Sequence, residues 1–442
     1  VIVQPFKPRT SGHKRRHVSV SDEDEDDDKI EKNSSKKSSH KKRHRDDEER
    51  KHRHKYKSRK RERSPSRERR KKHKSHKSRK ESRHSKEFED ELLDAMWVEK
   101  EPLVQNKGRM SAADMWNQNN GVFVDIKKTH YATSFIQHWQ LRDLIYASSK
   151  FTLMHPRRNS IYMYDTRLEK DTCFQDSLPF TPTSIHTKCG YLVAGGQTGM
   201  LMIKQLESGW SKIWSVGRGL NNSVHLSSHG KNIRMTVCNN DQTVTLWRVP
   251  EMDKIQTLKL PSAINATSVS PNQQYMVMVS DGGVAYLYTI DKEGYYTNKL
   301  EYKVSEEPSL SCAWHPSSTL FAITSQDGYV SIYSIDSTQR LYHLGSTENR
   351  KTKKAPRSIQ FSSGTLDLLA YAEHVSHVYI VDTRTFQTRQ IVRLSPEHQD
   401  QAITGLTFSP DGRTIFVGLE DCIVELQVDC VTRRQFGASR LI

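Results

Sequence analysis

Seven short apolar segments, variations on Val/Ile/Leu-x-Leu/Ile/Met-aromatic, recur at Ile161, Leu201, Val244, Val284, Val330, Val378 and Val424. Their spacings are 40, 43, 40, 46, 48 and 46 residues. A period of this length is close to that of a four-stranded propeller blade, a unit that cannot bury both its faces alone. Such units must pack on one another, and closing them into a ring removes most exposed sheet edges. The expected fold class is therefore all-β, a seven-bladed β-propeller over residues 131–442, and truncation at either end should unfold it.

Turn chemistry recurs in register with these anchors. Hairpin turns read Gly196-Gln197-Thr198-Gly199, Asn239-Asn240-Asp241-Gln242, Ser280-Asp281-Gly282-Gly283 and Gln326-Asp327-Gly328, supplying the positive-φ positions that tight hairpins need. Ser270-Pro271-Asn272, His315-Pro316-Ser317 and Ser409-Pro410-Asp411-Gly412 precede the hairpins, with proline presetting the turn and the side chain after it closing the turn. After the anchors come Tyr164-Asp165, Trp247-Arg248, Tyr333-Ser334 and Val381-Asp382, and Tyr164-Asp165-Thr166-Arg167 echoes Val381-Asp382-Thr383-Arg384 across 217 residues. This pattern resembles the WD-repeat family, over about 70% of the chain. The resemblance implies a rigid scaffold for protein partners. His138-Trp139-Gln140-Leu141-Arg142-Asp143-Leu144-Ile145 and the run from Asp367 to Phe386 are similar to a group of uncharacterised fungal WD-repeat proteins with a C-terminal domain of unknown function. The latter run should be the sixth blade and part of the seventh.

The charge of the chain lies elsewhere. Residues 1–87 hold 33 Lys and Arg against 16 Asp and Glu, a net +17 equal to that of the whole chain, and residues 88–442 hold 36 of each. With eight apolar residues in that stretch, the tail cannot offset the entropy of folding and is expected to be disordered. An acidic block, Asp22 to Asp28, precedes basic runs at Lys41–Arg45, Arg50–Arg63 and Arg67–Lys80 interspersed with serine. The tail resembles the Arg/Ser-rich tails of splicing factors, which implies kinase substrates, Ser64, Ser66, Ser78 and Ser82 among them, and a nuclear address. Each phosphoserine adds about −1.5 to −2 charge, so the tail reads as an adjustable polycation for RNA or another polyanion. Tyr56 is the one aromatic between Phe6 and Phe88, so base-stacking platforms are missing.

Residues 88–130 read as a linker. Phe88, Leu92, Met96 and Trp97 fall at helical spacing beside Glu89, Asp90, Glu91 and Asp94, predicting a short acidic amphipathic helix that docks on a partner or on the propeller. Six cysteines without a Cys-x-x-Cys pattern read as reduced and mostly buried. No phosphate loop, nucleophile elbow or His-Glu-x-x-His occurs, and neither a cofactor nor a metal site is expected. His225 and His229, and His374 and His377, read as turn or loop residues. One connection stands out: Arg350, Lys351, Lys353, Lys354 and Arg357 place five cations in eight residues between units five and six, a candidate basic loop for a phosphate or acidic segment. Arg157 and Arg158 would join it if their turn lies on the same face. The chain reads as a non-enzymatic scaffold with a monomeric propeller, binding other proteins in the nucleus or, alternatively, in the cytoplasm. The alternatives are an RNA-associated or splicing-related factor and a substrate adaptor of a ubiquitin ligase or other enzyme complex.

Overall fold

The structure, a computed structural model, describes residues 121–345, 354–396 and 398–431. The tail with Ser64, Ser66, Ser78 and Ser82, the linker segment with Phe88, Leu92, Met96 and Trp97, and Arg350, Lys351 and Lys353 lie outside the described residues.

Short alternating strands joined by tight turns build seven antiparallel four-stranded sheets. Blades one to six occupy residues 146–175, 182–215, 221–259, 264–303, 309–345 and 356–393, each a meander from the inner strand to the outer. All seven anchors fall in the third strand of their sheets. Each hairpin turn ends on a positive-φ residue, at Gly199, Gln242, Gly283 and Gly328. At Gly283 a Cβ would stand 2.1 Å from the Ser305 carbonyl, so the close approach of the two backbones excludes every other residue there. The Asp165 and Asp382 echo is one device used twice. Asp165 Oδ1 accepts from the Arg167 amide at 2.9 Å, Asp382 Oδ1 accepts from the Arg384 amide at 3.0 Å, and each closes the turn from the third strand into the fourth.

Blade seven departs from the expected boundary. Its three inner strands come from residues 403–428, and its outer strand is Val124–His130, antiparallel to Ile423–Val428. That strand lies in the stretch read from sequence as linker, so the propeller begins ahead of residue 131. Its register pairs Val124 with Val428 and His130 with Ile423. His130 is buried, with Nε2 3.0 Å from Glu425 Oε2 and Nδ1 3.3 Å from the Tyr164 hydroxyl of blade one. Burial raises the Glu425 carboxyl, and hydrogen bonds from Lys127 and His130 outweigh it, leaving the pKa below the ordinary range.

Hydrophobic burial is divided among the seams. Seven buried clusters form, one between each pair of neighbouring blades around the ring, from Ile161, Leu192 and Met202 between one and two to Leu153, Phe416 and Ile423 between seven and one. Neighbouring inner strands touch in sequence around the circle, the last against the first. The six cysteines are free; Cys238, Cys312 and Cys422 are buried, and Cys173 and Cys189 are exposed. No helix among the described residues is long and apolar enough to cross a membrane.

Candidate binding site at the channel mouth

The inner strands enclose a cavity of about 620 Å³ along the propeller axis. All begin on one face, here called the upper face, which also carries the connections between blades and the turns between second and third strands. Lys354 belongs to the connection into blade six and Arg357 to the start of that blade's inner strand, and Arg157 and Arg158 lie at the second-to-third turn of blade one, so both sets lie on this face.

At the upper rim a polar side chain repeats. Thr183 Oγ1, Asn222 Nδ2 and Asn265 Nδ2, each second in its inner strand, donate to the Asn221, Ile264 and Ser309 carbonyls of the next blade at 2.9, 3.0 and 2.9 Å. Leu310 breaks the series in blade five, and Arg357 takes the place in blade six. Its longer side chain passes the neighbouring strand, donates to the Trp139 carbonyl and stacks 5.3 Å from the Trp139 ring centre. Thus Arg357, expected in an exposed loop, is a buried member of the strand Pro356–Phe361. Lys354 pairs with Asp400 at 3.3 Å.

The roof over this rim is the segment from Tyr131 to Ile145, which crosses from the outer strand of blade seven to the inner strand of blade one. It buries Leu141, Leu144 and Ile145 and leaves Tyr131, Phe135 and Trp139 exposed, Trp139 at 58%. It is tied to blade seven by the Leu144 amide on the Thr404 carbonyl at 3.2 Å, and to blade two by the Ile185 amide on the Asp143 carbonyl at 3.0 Å. Arg142 Nη1 donates to the His138 and Leu141 carbonyls at 2.8 and 2.9 Å, and Ser358 Oγ donates to the Arg142 carbonyl at 2.7 Å. Burial, aided for Arg357 by the Arg142 charge, lowers both guanidinium pKa values to about 10, so both remain charged at neutral pH. His374, behind them, is lowered to about 4 by burial and by the same two charges, and stays neutral.

Deeper in the channel three rings adjoin. Tyr146 lies 4.7 Å from His186 and His186 4.5 Å from His225, centre to centre. His225 therefore belongs to the inner strand Asn221–His229 rather than to a loop. Burial lowers both histidines, with Lys188 acting in the same direction, His225 to about 3. Asp143 is exposed to the channel, and the surrounding protein raises its carboxyl above the ordinary range. His229 ends the same strand with Nε2 2.9 Å from the Lys292 carbonyl, and His377 begins a strand with Nδ1 3.4 Å from Glu373 Oε2. Among the described residues no three His, Cys, Asp or Glu are placed to hold a metal ion.

These shifts set a pH response of known sign. A histidine with a depressed folded pKa is protonated first in the unfolded chain, so its contribution is intact above about pH 6.5 and is lost as the pH falls toward the folded value. Each contributes a slope of at most about 1.4 kcal/mol per pH unit. Urea unfolding from pH 7 to 4 should therefore lose less stability in His225→Gln than in the parent. Parallel curves for the two proteins would refute the assignment.

Residues 301–334 and 389–426 match the WD domain, G-beta repeat. Each match begins in the outer strand of one blade and ends in the third strand of the next, so the sequence repeat is offset by one strand from the blade. The chain carries WD repeats. In such a frame the outer strand of the last blade must come from ahead of the first repeat, as Val124–His130 does. Residues 354–393 match an uncharacterised protein domain, and in this chain they are blade six alone, without a share of blade seven. An uncharacterised protein of Schizosaccharomyces pombe is 27% identical over 331 residues, 71% of this chain and 94% of that protein. Eukaryotic translation initiation factor 3 subunit I of Caenorhabditis elegans is 27% identical over 107 residues, 22% of this chain and 33% of that protein. The serine/threonine-protein kinase VPS15 of Saccharomyces cerevisiae is 23% identical over 181 residues, 38% of this chain and 12% of that protein. The WD-repeat propeller supports a role as a protein-interaction scaffold.

Of the mouth residues, sequence reading singled out Lys354 and Arg357 as site residues. Trp139 and Arg142 stood within the motif from His138 to Ile145 without an assigned role. The signal was that motif: aromatic and basic residues at the start of the first unit.

Proposed function

We propose that this chain is a non-enzymatic scaffold that holds protein partners at the upper channel mouth, while residues 1–87 tether it to polyanions and direct it to the nucleus. The observation that supports the mouth as the binding place is the exposed Trp139 against the buried Arg357 guanidinium, with a second buried arginine, Arg142, also lining the cavity. Rigid propellers present such loops on a fixed frame. The basic excess, confined to residues 1–87, supports the division of labour, because a polycation attracts nucleic acid at long range without reading bases. Phosphorylation at Ser64, Ser66, Ser78 and Ser82 would weaken that attraction.

A second reading, membership of an RNA-associated assembly, is favoured by the Arg/Ser-rich tail and by the similarity to a translation initiation factor subunit. One deletion addresses both. Removing residues 1–87 should weaken binding to single-stranded RNA by roughly 100-fold at low salt and flatten its salt dependence, should shift a fluorescent fusion out of the nucleus, and should leave protein partners captured by the propeller in place. RNA association unchanged by the deletion would assign nucleic-acid contact to the propeller instead. Loss of every protein partner on Trp139→Ala together with Arg357→Met would place recognition at the mouth, and retention of all of them would move it elsewhere.

A further inference from the structure

We propose that Arg142 and Arg357 form a phosphoryl-binding subsite, taking a phosphorylated serine or threonine side chain of a protein partner into the upper channel mouth. The identity of the carrier as a protein rests on the scaffold reading above; the subsite itself does not.

Both residues line the cavity and both are 8% exposed. Arg142 Nη1 donates to the carbonyls of His138 and Leu141 and Arg357 Nη1 to that of Trp139, so two guanidiniums are pinned to one short run of backbone. Carbonyls orient a guanidinium without neutralising it. The Nε atoms of both are buried and have no hydrogen-bond partner, and neither residue forms an ion pair among the described residues. More exposed cations of the propeller are paired, Arg384 with Asp382, Arg393 with Asp400 and Lys127 with Glu425, whereas buried Arg234 likewise has orphaned Nε and Nη1 atoms but stands alone, away from the channel. Asp143, the next residue in the chain, forms no salt bridge with either guanidinium. Glu420 acts on Arg142 and Asp281 on His138 only through space.

Two like charges fixed side by side in a protein wall are unfavourable unless an anion joins them. The charge count selects the anion. A phosphoryl group carries close to two negative charges and three acceptor oxygens, and guanidinium forks match it. A carboxylate would leave one cation uncompensated. Trp139, Phe135 and Tyr131, exposed along the same crossing segment, offer apolar contact to residues flanking the phosphorylated side chain.

The test uses the full chain, so that the tail is common to every sample, with Arg142→Met, Arg357→Met, the double variant and Arg357→Lys. Inorganic phosphate should raise the thermal midpoint of the parent and leave that of the double variant unmoved. Without phosphate, Arg357→Met should match or exceed the parent midpoint, because it relieves the like-charge contact. A Gly-Gly-phosphoserine-Gly-Gly probe should bind the parent at least about 10-fold more tightly than its serine or glutamate counterparts, and each Met variant should lose about 10- to 100-fold. Arg357→Lys, which keeps the charge and loses the fork, should fall between them and remains informative if a Met variant does not fold.

Equal binding of the serine probe, or unchanged phosphoserine binding in the double variant, would overturn the subsite. So would oligouridylate that binds as tightly as the phosphoserine probe with the same dependence on both arginines, since the ligand would then be a nucleic-acid backbone. Partner capture before and after phosphatase treatment separates the two readings. Capture indifferent to phosphatase and to both arginines leaves the scaffold standing and removes the phosphoryl subsite, and failure to capture any partner removes the scaffold while the phosphate titration still decides the subsite.

Discussion

Deleting residues 121–130 lowers the free energy of unfolding by on the order of 5 kcal/mol, comparable with the whole stability of many domains. The deleted strand buries Phe123 and Val124 in the cluster between blades six and seven, where full burial of one apolar side chain stabilises by about 1.5–3 kcal/mol. It also removes the ladder to Ile423–Val428 and the His130 contacts with Glu425 and Tyr164, each hydrogen bond adding about 0.5–1.5 kcal/mol net. Gln390 of blade six holds the entry to this strand, accepting from the Phe123 and Val124 amides at 2.6 and 2.8 Å and donating to the Val124 carbonyl at 2.8 Å. Losing the strand therefore bares the Ile423–Val428 edge and removes the Gln390 tie between blade six and blade seven. Urea unfolding followed by circular dichroism would show a much lower midpoint, or no cooperative transition at all. A midpoint within experimental error of the parent would mean that three strands suffice for blade seven.

Phe321→Ala is the substitution expected to cost most in the core, about 3–5 kcal/mol. The ring is fully buried between blades four and five, 5.1 Å from Tyr302, 5.3 Å from Trp314 and 5.8 Å from Tyr333. Edge-to-face and stacked pairs of this kind add about 0.5–1.5 kcal/mol each beyond the area they bury, and Tyr302 and Tyr333 are too tightly held to fill the void. Phe321→Leu should recover about half of the loss. Equal midpoints for Phe321→Ala and the parent would show that this seam repacks freely.

Where sequence and structure part is instructive. The anchors at Ile161 to Val424 were legible because a third strand is covered on both faces by neighbouring blades, which demands apolar residues at a fixed period. Val124–His130 was not legible, because its middle residues are exposed and Lys127 and Lys128 break any alternation. It is a strand on account of a partner almost 300 positions away, as the Lys127 to Glu425 contact across 298 residues illustrates. His225 was misplaced for a related reason. Channel-facing positions are polar in sequence yet ringed by protein, so polarity there does not signal a loop. Arg357 looked like the last of five loop cations, and only ring closure, which brings Trp139 over it from the other end of the chain, shows it as a buried charge. At the mouth the residue types were visible and their convergence was not, since they come from segments 218 residues apart.

The strand that completes blade seven pairs Val124 with Val428 and Asp429 donates to the Phe123 carbonyl at 2.9 Å, so the segments leading to Gly121 and from Val431 depart from the same end of one ladder. A pulling force applied through those segments is borne by one residue pair at a time, as in a zipper, and never by the whole ladder in shear. Under tension the ring should open at this clasp, at low force, while the hairpins of blades one to six are still intact.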